Sequence, residues 1–189
     1  MERTIFHVDV NSAFLSWEAV YRMKHLGGRL DLRTVSSAVG GDVTRRHGII
    51  LAKSIPARAC GIKTGETVFS ALKKCPELVL VPPNYNLYQR SSDALIRLLK
   101  EYTPLVEQYS IDEAYMDMTE STALFGPPEV AAETIRERIL QELGFTVNIG
   151  VAQNKLLAKM ASDFKKPNRV HTLWKEQIPV KMWPLPVRE

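Results

Sequence analysis

Residues 107–118, EQYSIDEAYMDM, set Asp112 and Glu113 side by side in a stretch that otherwise has the pattern of a β-strand, with Asp117 five positions after the first acid. A buried carboxylate without a partner costs several kcal/mol, so this pair restricts the fold more than any apolar run in the chain. Neighbouring side chains on an ideal strand point to opposite faces. Both acids can therefore serve one site only if a turn or bulge intervenes. A tight hairpin around Ser110 and Ile111 meets that requirement and leaves both acids at a strand end, near water or a ligand. Asp9 stands near the end of another strand-length run, IFHVDV at residues 5–10. If that strand neighbours the hairpin, three carboxylates converge.

Three acid oxygens with no His or Cys nearby suit a hard cation such as Mg²⁺, which shares its shell with phosphates. Two such ions about 3.5–4 Å apart can activate an attacking hydroxyl and hold a leaving phosphate. The other reading makes the acids exposed hairpin residues paired with Lys or Arg. The residues alone leave both open.

The rest of the chain has the pattern of an α+β protein with helices on one face of a small sheet. IFHVDV is followed by NSAFLSWEAVYRMK, in which Phe14, Trp17 and Tyr21 recur at helical spacing, and Gly27 and Gly28 end that helix. Val35–Val39 and His47–Lys53 are predicted as short strands joined by the turn GGDVTRRHG. Pro82, Pro83 and Asn84 stop the strand before them and cap a helix whose Leu87, Ser91, Ala94, Leu95, Leu98 and Tyr102 share a face, with Thr103 and Pro104 at its end. Pro127 and Pro128 open a second helix with the stripe Ala131, Ile135, Ile139 and Leu143, closed by Gly144. Phe145–Val151 follows as a strand and Gln153–Phe164 as a helix, stopped by Lys166 and Pro167. Residues 11–81 form an excursion from this framework with strands of their own. Residues 174–189 carry three prolines and no closing element, so the chain looks cut.

A length of 189 residues suffices for a substantial core. No stretch approaches the roughly 18–20 uninterrupted apolar residues of a membrane span, and no secretory signal is indicated; the expectation is a cytoplasmic protein. Cys60 and Cys75 lack the spacing of a zinc or redox motif and are predicted to be reduced, partly buried thiols. The formal charge of +4 is mild. Its distribution is more telling, because Lys155, Lys159, Lys165, Lys166 and Arg169 face only Asp163 in one short segment. Such a cluster is a solvated helix face or a contact to a polyanion.

Four runs in order, IFHVDVNSAFLSWE, LAKSIPARACGIKTGE, QYSIDEAYMDM and NIGVAQNKLLAKMASDFKKPN, resemble the Y-family, or translesion, DNA polymerases of bacteria and span nearly the whole chain. The resemblance implies a ferredoxin-like palm from residues 1–10 and 82–173, fingers from 11–81, and an incomplete thumb from 174–189. It implies that Asp9, Asp112 and Glu113, with the main-chain carbonyl of Val10, hold two Mg²⁺ ions, with Mn²⁺ as a substitute, for attack of a primer 3′-hydroxyl on the α-phosphate of a dNTP. Phe14 takes the steric-gate position under the sugar, where the residues alone would also fit it to core packing with Trp17. Arg58 and Lys166 match triphosphate-contacting positions, assisted by main-chain amides of Asn11, Ser12 and Ala13 at a helix start; Lys155, Lys159 and Lys165 are candidates for DNA contact. Ile55 and Ala52 stand where the family often has hydroxyl-bearing side chains, which shifts triphosphate binding toward Arg58, Lys166 and amides.

The partners implied are primer-template DNA, dNTP and a sliding clamp reached through a C-terminal region beyond residue 189. Without a full thumb, such a chain is expected to bind dNTP and Mg²⁺ but to extend DNA poorly. A palm-type nucleotidyl cyclase and a non-catalytic DNA-binding or scaffold member of the same family are the alternatives.

Overall fold

The computed structural model describes residues 2–41 and 48–186. In chain order its elements are β1 (Ile5–Val10), α1 (Ala13–His25), β2 (Ser37–Gly40), β3 (Ile50–Lys53), α2 (Ile55–Ala59), α3 (Val68–Lys74), β4 (Val79–Val81), α4 (Tyr85–Leu99), β5 (Val106–Gln108), β6 (Glu113–Asp117), α5 (Thr122–Phe125), α6 (Pro128–Leu143), β7 (Val147–Ala152), α7 (Lys155–Ser162), β8 (Val170–Thr172) and, after a 3₁₀ turn at Lys175–Gln177, α8 (Ile178–Lys181). Of the predicted turn GGDVTRRHG, residues 42–47 lie outside the described residues. The chain divides into two units, residues 1–11 with 92–189 and residues 12–91. The division falls inside α4, whereas the motifs place the return to the palm at residue 82.

The first unit is built on a five-stranded sheet in the order β5-β6-β1-β7-β8. β1 runs antiparallel to both neighbours, and β8 lies parallel to β7. The two-residue period of β1 sends Phe6, Val8 and Val10 to one face and Ile5, His7 and Asp9 to the other. α6 packs against β7 and β8, burying Ala131, Ala132, Ile135 and Ile139, while Leu143 of the expected stripe is half-buried. Pro128 opens this helix and Gly144 closes it at φ 84°, its amide donating to the carbonyls of Ile139 and Leu140.

α7 lies on the Ile5–His7–Asp9 side, where Leu157, Ala158 and Ala161 join Ile5, Tyr115, Ala152 and Leu173 in one cluster. Gly150 makes this approach possible, since a Cβ there would stand 1.9 Å from the Ala158 carbonyl oxygen and 2.5 Å from the Ser162 nitrogen. The segment after β8 returns to the same cluster through Ile178 and Met182. At the other edge α4 stops at Leu99, earlier than its apolar pattern predicts. Tyr102 is buried beyond the helix end, its amide held by the Leu99 carbonyl in a turn.

The second unit holds a three-stranded sheet, β3-β2-β4, with β2 antiparallel to β3 and parallel to β4. Its core joins Ala38, Ile50, Ala57, Ile62, Val68, Ala71, Cys75 and Leu78. α2 and α3 have no counterpart in the expected elements. They are too short for apolar periodicity, but each starts at a capping hydroxyl: Ser54 Oγ accepts from the Ala57 amide at 3.1 Å, and Thr67 Oγ1 from the Ser70 amide at 3.1 Å. Such caps contribute about 1 kcal/mol each. α1 starts at Ala13, two residues later than its pattern predicts, after Ser12 turns to φ 46°.

Candidate active site

The register of the first unit settles which acids meet. Asp9 is paired with Glu113 across β1 and β6, so the two side chains share a face. Asp112 lies one residue before β6, and its carbonyl accepts the Val10 amide at 3.0 Å, which ties the hairpin to the end of β1. The turn 109–112 is the expected one, with the Tyr109 and Ser110 amides both donating to the Glu113 carbonyl. Ser110 Oγ donates to Asp112 Oδ1 at 2.8 Å, and the Asp112 amide donates back to Ser110 Oγ at 3.3 Å.

Two lysines pair with two of the three acids. Lys166 Nζ donates to Asp9 Oδ2 at 2.6 Å and contacts Asp163 Oδ1 at 2.9 Å. Lys159 Nζ donates to Glu113 Oε1 at 2.5 Å. Burial raises the Asp9 carboxyl above its ordinary range, with Glu113 and Asp112 adding to the shift and Lys166 opposing it. Burial works to lower both ammonium groups, but their carboxylate bonds outweigh it and both end raised. Burial of Asp9 thus dominates its own balance, whereas each lysine is flanked by enough negative charge to remain protonated. Held this way, the three carboxylates do not place one oxygen each within 4.8 Å of one another. The donor set nevertheless fits a hard divalent cation, because three carboxylates crowd one strand end and a buried one among them is disfavoured as an anion.

Three residues in this neighbourhood were missed by motif and spacing. Asn148 is the register partner of Asp9 on β7 and is fully buried. Its Nδ2 donates to the Ser162 and Lys165 carbonyls at 2.9 Å each, and its Oδ1 accepts from Asn11 Nδ2 at 3.2 Å and the Arg169 amide at 3.3 Å. The loop that carries Lys166 is therefore pinned to the sheet through one amide side chain. His7, two positions before Asp9 and on its face, corrects the expectation that no His lies near the acids, since its Nε2 is 3.7 Å from Glu113 Oε1. Ser162 Oγ donates to the Lys159 carbonyl at 2.7 Å and so accepts from His7 Nδ1 at 2.8 Å. Burial and the Lys159 charge lower the imidazole to about 4, leaving a neutral ring whose Nε2 has no hydrogen-bond partner among the described residues. The two-residue period already puts His7 beside Asp9; Asn148 and Ser162 carry no signal without the register.

Of the other candidates in this unit, Lys155 is bonded to Glu107, with its ammonium 5.4 Å from the centre of the Tyr115 ring. Lys159 is committed to Glu113, and Lys165 is exposed. The amides of Val10 and Asn11 are spent on the Asp112 and Thr146 carbonyls, and Asn11 Oδ1 accepts from the Asn168 amide at 2.9 Å. Asn11 is thus engaged at the strand end and with the loop, and the expected phosphate-binding amides narrow to those of Ser12 and Ala13.

In the second unit, Phe14 stacks on Tyr88 at 4.4 Å and 8°, with Tyr85 edge-on at 6.4 Å and Trp17 at 6.0 Å. The ring is half-buried, so packing fixes its plane while part of it stays open. Tyr88 hydroxyl donates to the buried Glu18 at 3.1 Å. Arg58 is exposed on α2. Lys53, also missed, is lowered by burial and by the charge of Arg58, which places two cations close together. Ile55 is 62% exposed.

A family model described as the impB/mucB/samB family matches residues 8–163. The chain belongs to this family. Members similar to it include DNA polymerase IV of Clostridium acetobutylicum, 52% identical over 189 residues, which are 100% of this chain and 47% of that protein. DNA polymerase IV 1 of Bacillus subtilis is 46% identical over 187 residues, 99% of this chain and 43% of the relative. Among solved structures, a Y-family DNA polymerase chimera of Dbh and Dpo4 matches with a TM-score of 0.82 at 27% identity, covering 93% of this chain and 50% of the other. An insertion ternary complex of Dbh DNA polymerase matches with a TM-score of 0.81 at 28% identity and the same coverages. The chain thus spans about half the length of the relatives it matches. The Y-family resemblance and the α+β class stated from the motifs are borne out, and the cyclase alternative is set aside. No described helix is long and apolar enough to cross a membrane.

Proposed function

We propose that this chain is the palm-and-fingers portion of a DNA-templated DNA polymerase of the translesion type, adding dNTPs to a primer 3′-hydroxyl in the cytoplasm. The observation that carries the reading is the strand-end pairing of Asp9 with Glu113, with the Asp112 main chain bonded to Val10. Asp9, Asp112, Glu113 and the Val10 carbonyl would hold two Mg²⁺ ions, or Mn²⁺ in their place. When bound, these ions supply charge neutralisation at the phosphates and a more acidic 3′-hydroxyl.

The chain's own residues supply placement. Lys166 sits at the carboxylates on a loop held by Asn148, where an ammonium also meets a triphosphate brought to that strand end. Within the second unit, Lys53 and Arg58 bring cationic charge suited to a phosphate anion, and the Ser12 and Ala13 amides stand at the start of α1. Phe14, fixed by its stack on Tyr88, presents a flat face that admits a deoxyribose and rejects a 2′-hydroxyl. We assign primer-template DNA as the polymer partner, with Lys165 at its backbone. The firm grip on duplex and any sliding-clamp contact belong to the part of the relatives that this chain does not span.

The test is single-nucleotide incorporation by the full-length protein carrying Asp112→Asn or Glu113→Gln. The expected loss is about 10²–10³-fold or more, with dNTP-independent folding unchanged. Incorporation at the unaltered rate would remove these acids from the chemistry.

A further inference from the structure

Among the described residues, a group of donor atoms of different chemistry converges away from the carboxylates. Cys60 Sγ, Cys75 Sγ and a Glu77 carboxylate oxygen lie within 4.8 Å of one another, all in the second unit. Cys75 Sγ donates to Glu77 Oε1 at 3.1 Å, and Ser36 Oγ is 3.8 Å from Cys60 Sγ. Tetrahedral ligands at zinc–sulfur and zinc–oxygen distances stand roughly 3.5–3.8 Å apart. The three donors therefore need shifts of an ångström or less to share one ion.

The surroundings hold these atoms in place. Cys60 follows α2, its amide bonded to the Pro56 carbonyl at 3.2 Å; Cys75 follows α3, its amide bonded to the Ala71 carbonyl at 3.0 Å. Cys75 is 1% exposed in the unit's core, and Cys60 packs against that core. Glu77 is exposed, which leaves an entry path from solvent and a fourth position for water. A core that needed only two small thiols would not require a carboxylate turned onto one of them. With two thiolates and one carboxylate, the set selects a thiophilic or borderline cation over Mg²⁺, and the Ser36 hydroxyl is placed to hydrogen-bond the Cys60 sulfur, as outer partners of metal ligands do.

We propose that Cys60, Cys75 and Glu77 form a binding site for a thiophilic divalent cation of the zinc type, distinct from the carboxylate site. Binding joins the end of α2 to the end of α3, across 15 residues of chain, and displaces two thiol protons to solvent as the sulfur–metal bonds form. The ion is a structural clamp, since no substrate-binding residue assigned above is among its ligands.

The experiment uses the whole chain, stripped with EDTA, kept reduced with a phosphine, and held in excess Mg²⁺ so that oxygen-only sites are filled. Co²⁺ is titrated in as the probe. The expected result is a near-ultraviolet sulfur-to-cobalt charge-transfer band saturating at one equivalent, removed by Zn²⁺, together with a rise of at least about 3 °C in Tm on Zn²⁺ addition. Glu77→Gln changes an exposed side chain and leaves the core intact; it is expected to weaken Co²⁺ binding at least about tenfold. Cys60→Ser is expected to abolish the one-equivalent band. Absence of the band in the wild type would overturn the proposal, and so would a band that keeps its intensity and affinity in both variants.

Discussion

Asp9 in the first unit and Glu18 in the second are two carboxylates whose burial is met in different ways. Their side chains are only 14% and 5% exposed, and burial raises both carboxyls above their ordinary range. Glu18 is satisfied locally, by the Tyr88 hydroxyl and by Arg22 one helical turn away at 3.6 Å. Its charge supports the aromatic stack that holds Phe14. Asp9 instead meets a lysine 157 positions away and shares its strand end with two further acids. One carboxylate is part of the packing, and the other is the one proposed above to meet a metal cation. The difference shows that burial of an acid does not by itself mark a site; what distinguishes Asp9 is a surplus of like charge beside it, met by the ammonium groups of Lys166 and Lys159.

The largest expected effect tests the scaffold beneath Asp9. Gly150→Val forces a side chain into the α7 backbone and should destabilise the first unit by at least about 3 kcal/mol in urea unfolding; a change under about 1 kcal/mol would mean α7 does not rest on β7. Next is Asn148→Ala, which frees four hydrogen-bond partners around the Lys166 loop and is expected to cost about 2–3 kcal/mol while raising KM for dNTP in the full-length protein. The second unit's counterpart, Tyr88→Phe, leaves buried Glu18 to Arg22 alone and should cost about 1.5–2 kcal/mol; an unchanged midpoint would show that the hydroxyl bond adds nothing.

The two acids are separated most directly by Mg²⁺ and by pH. At ten times its dissociation constant, Mg²⁺ is expected to stabilise the wild type by about 1.4 kcal/mol, to do so equally in Glu18→Gln, and to have no such effect in Asp9→Asn. Both acids have folded pKa values above their unfolded ones, so the folded chain binds the extra protons and stability falls as pH rises from the ordinary carboxylate range through the folded values. Glu18→Gln and Asp9→Asn should each flatten that slope in metal-free buffer, and a slope left intact by both would assign it to other groups. The smallest effect is Ile55→Tyr, an exposed change expected to alter stability by less than about 0.5 kcal/mol. It supplies the hydroxyl that the family resemblance implies at this position, so KM for dNTP should fall while kcat holds; an unchanged KM would show that Arg58 and its neighbours suffice.

Much of the first unit was legible before any coordinates. The stripe and terminal residues of α6, the hairpin before Glu113 and the strand-end position of Asp9 all follow from periods of 3.6 and 2.0 and from the stereochemistry of Pro and Gly, which act between near neighbours. α2 and α3 escaped because a helix of five or seven residues has too few turns to show a face, and its caps are ordinary Ser and Thr. The end of α4 was overestimated because Tyr102 continues the apolar spacing although the backbone has already turned.

The sequence by itself pointed to a hairpin that leaves Asp112 and Glu113 at a strand end and to Asp9 near the end of another strand, and its motifs were sufficient to identify the family. Only the tertiary structure decided which lysine meets which acid, that Asn148 pins the Lys166 loop, that His7 faces Glu113, and that two cysteines 15 residues apart turn toward one glutamate. The first three depend on strand register and on the close passage of α7 over Gly150, the last on where α2 and α3 end, and distance along the chain carries no record of any of these.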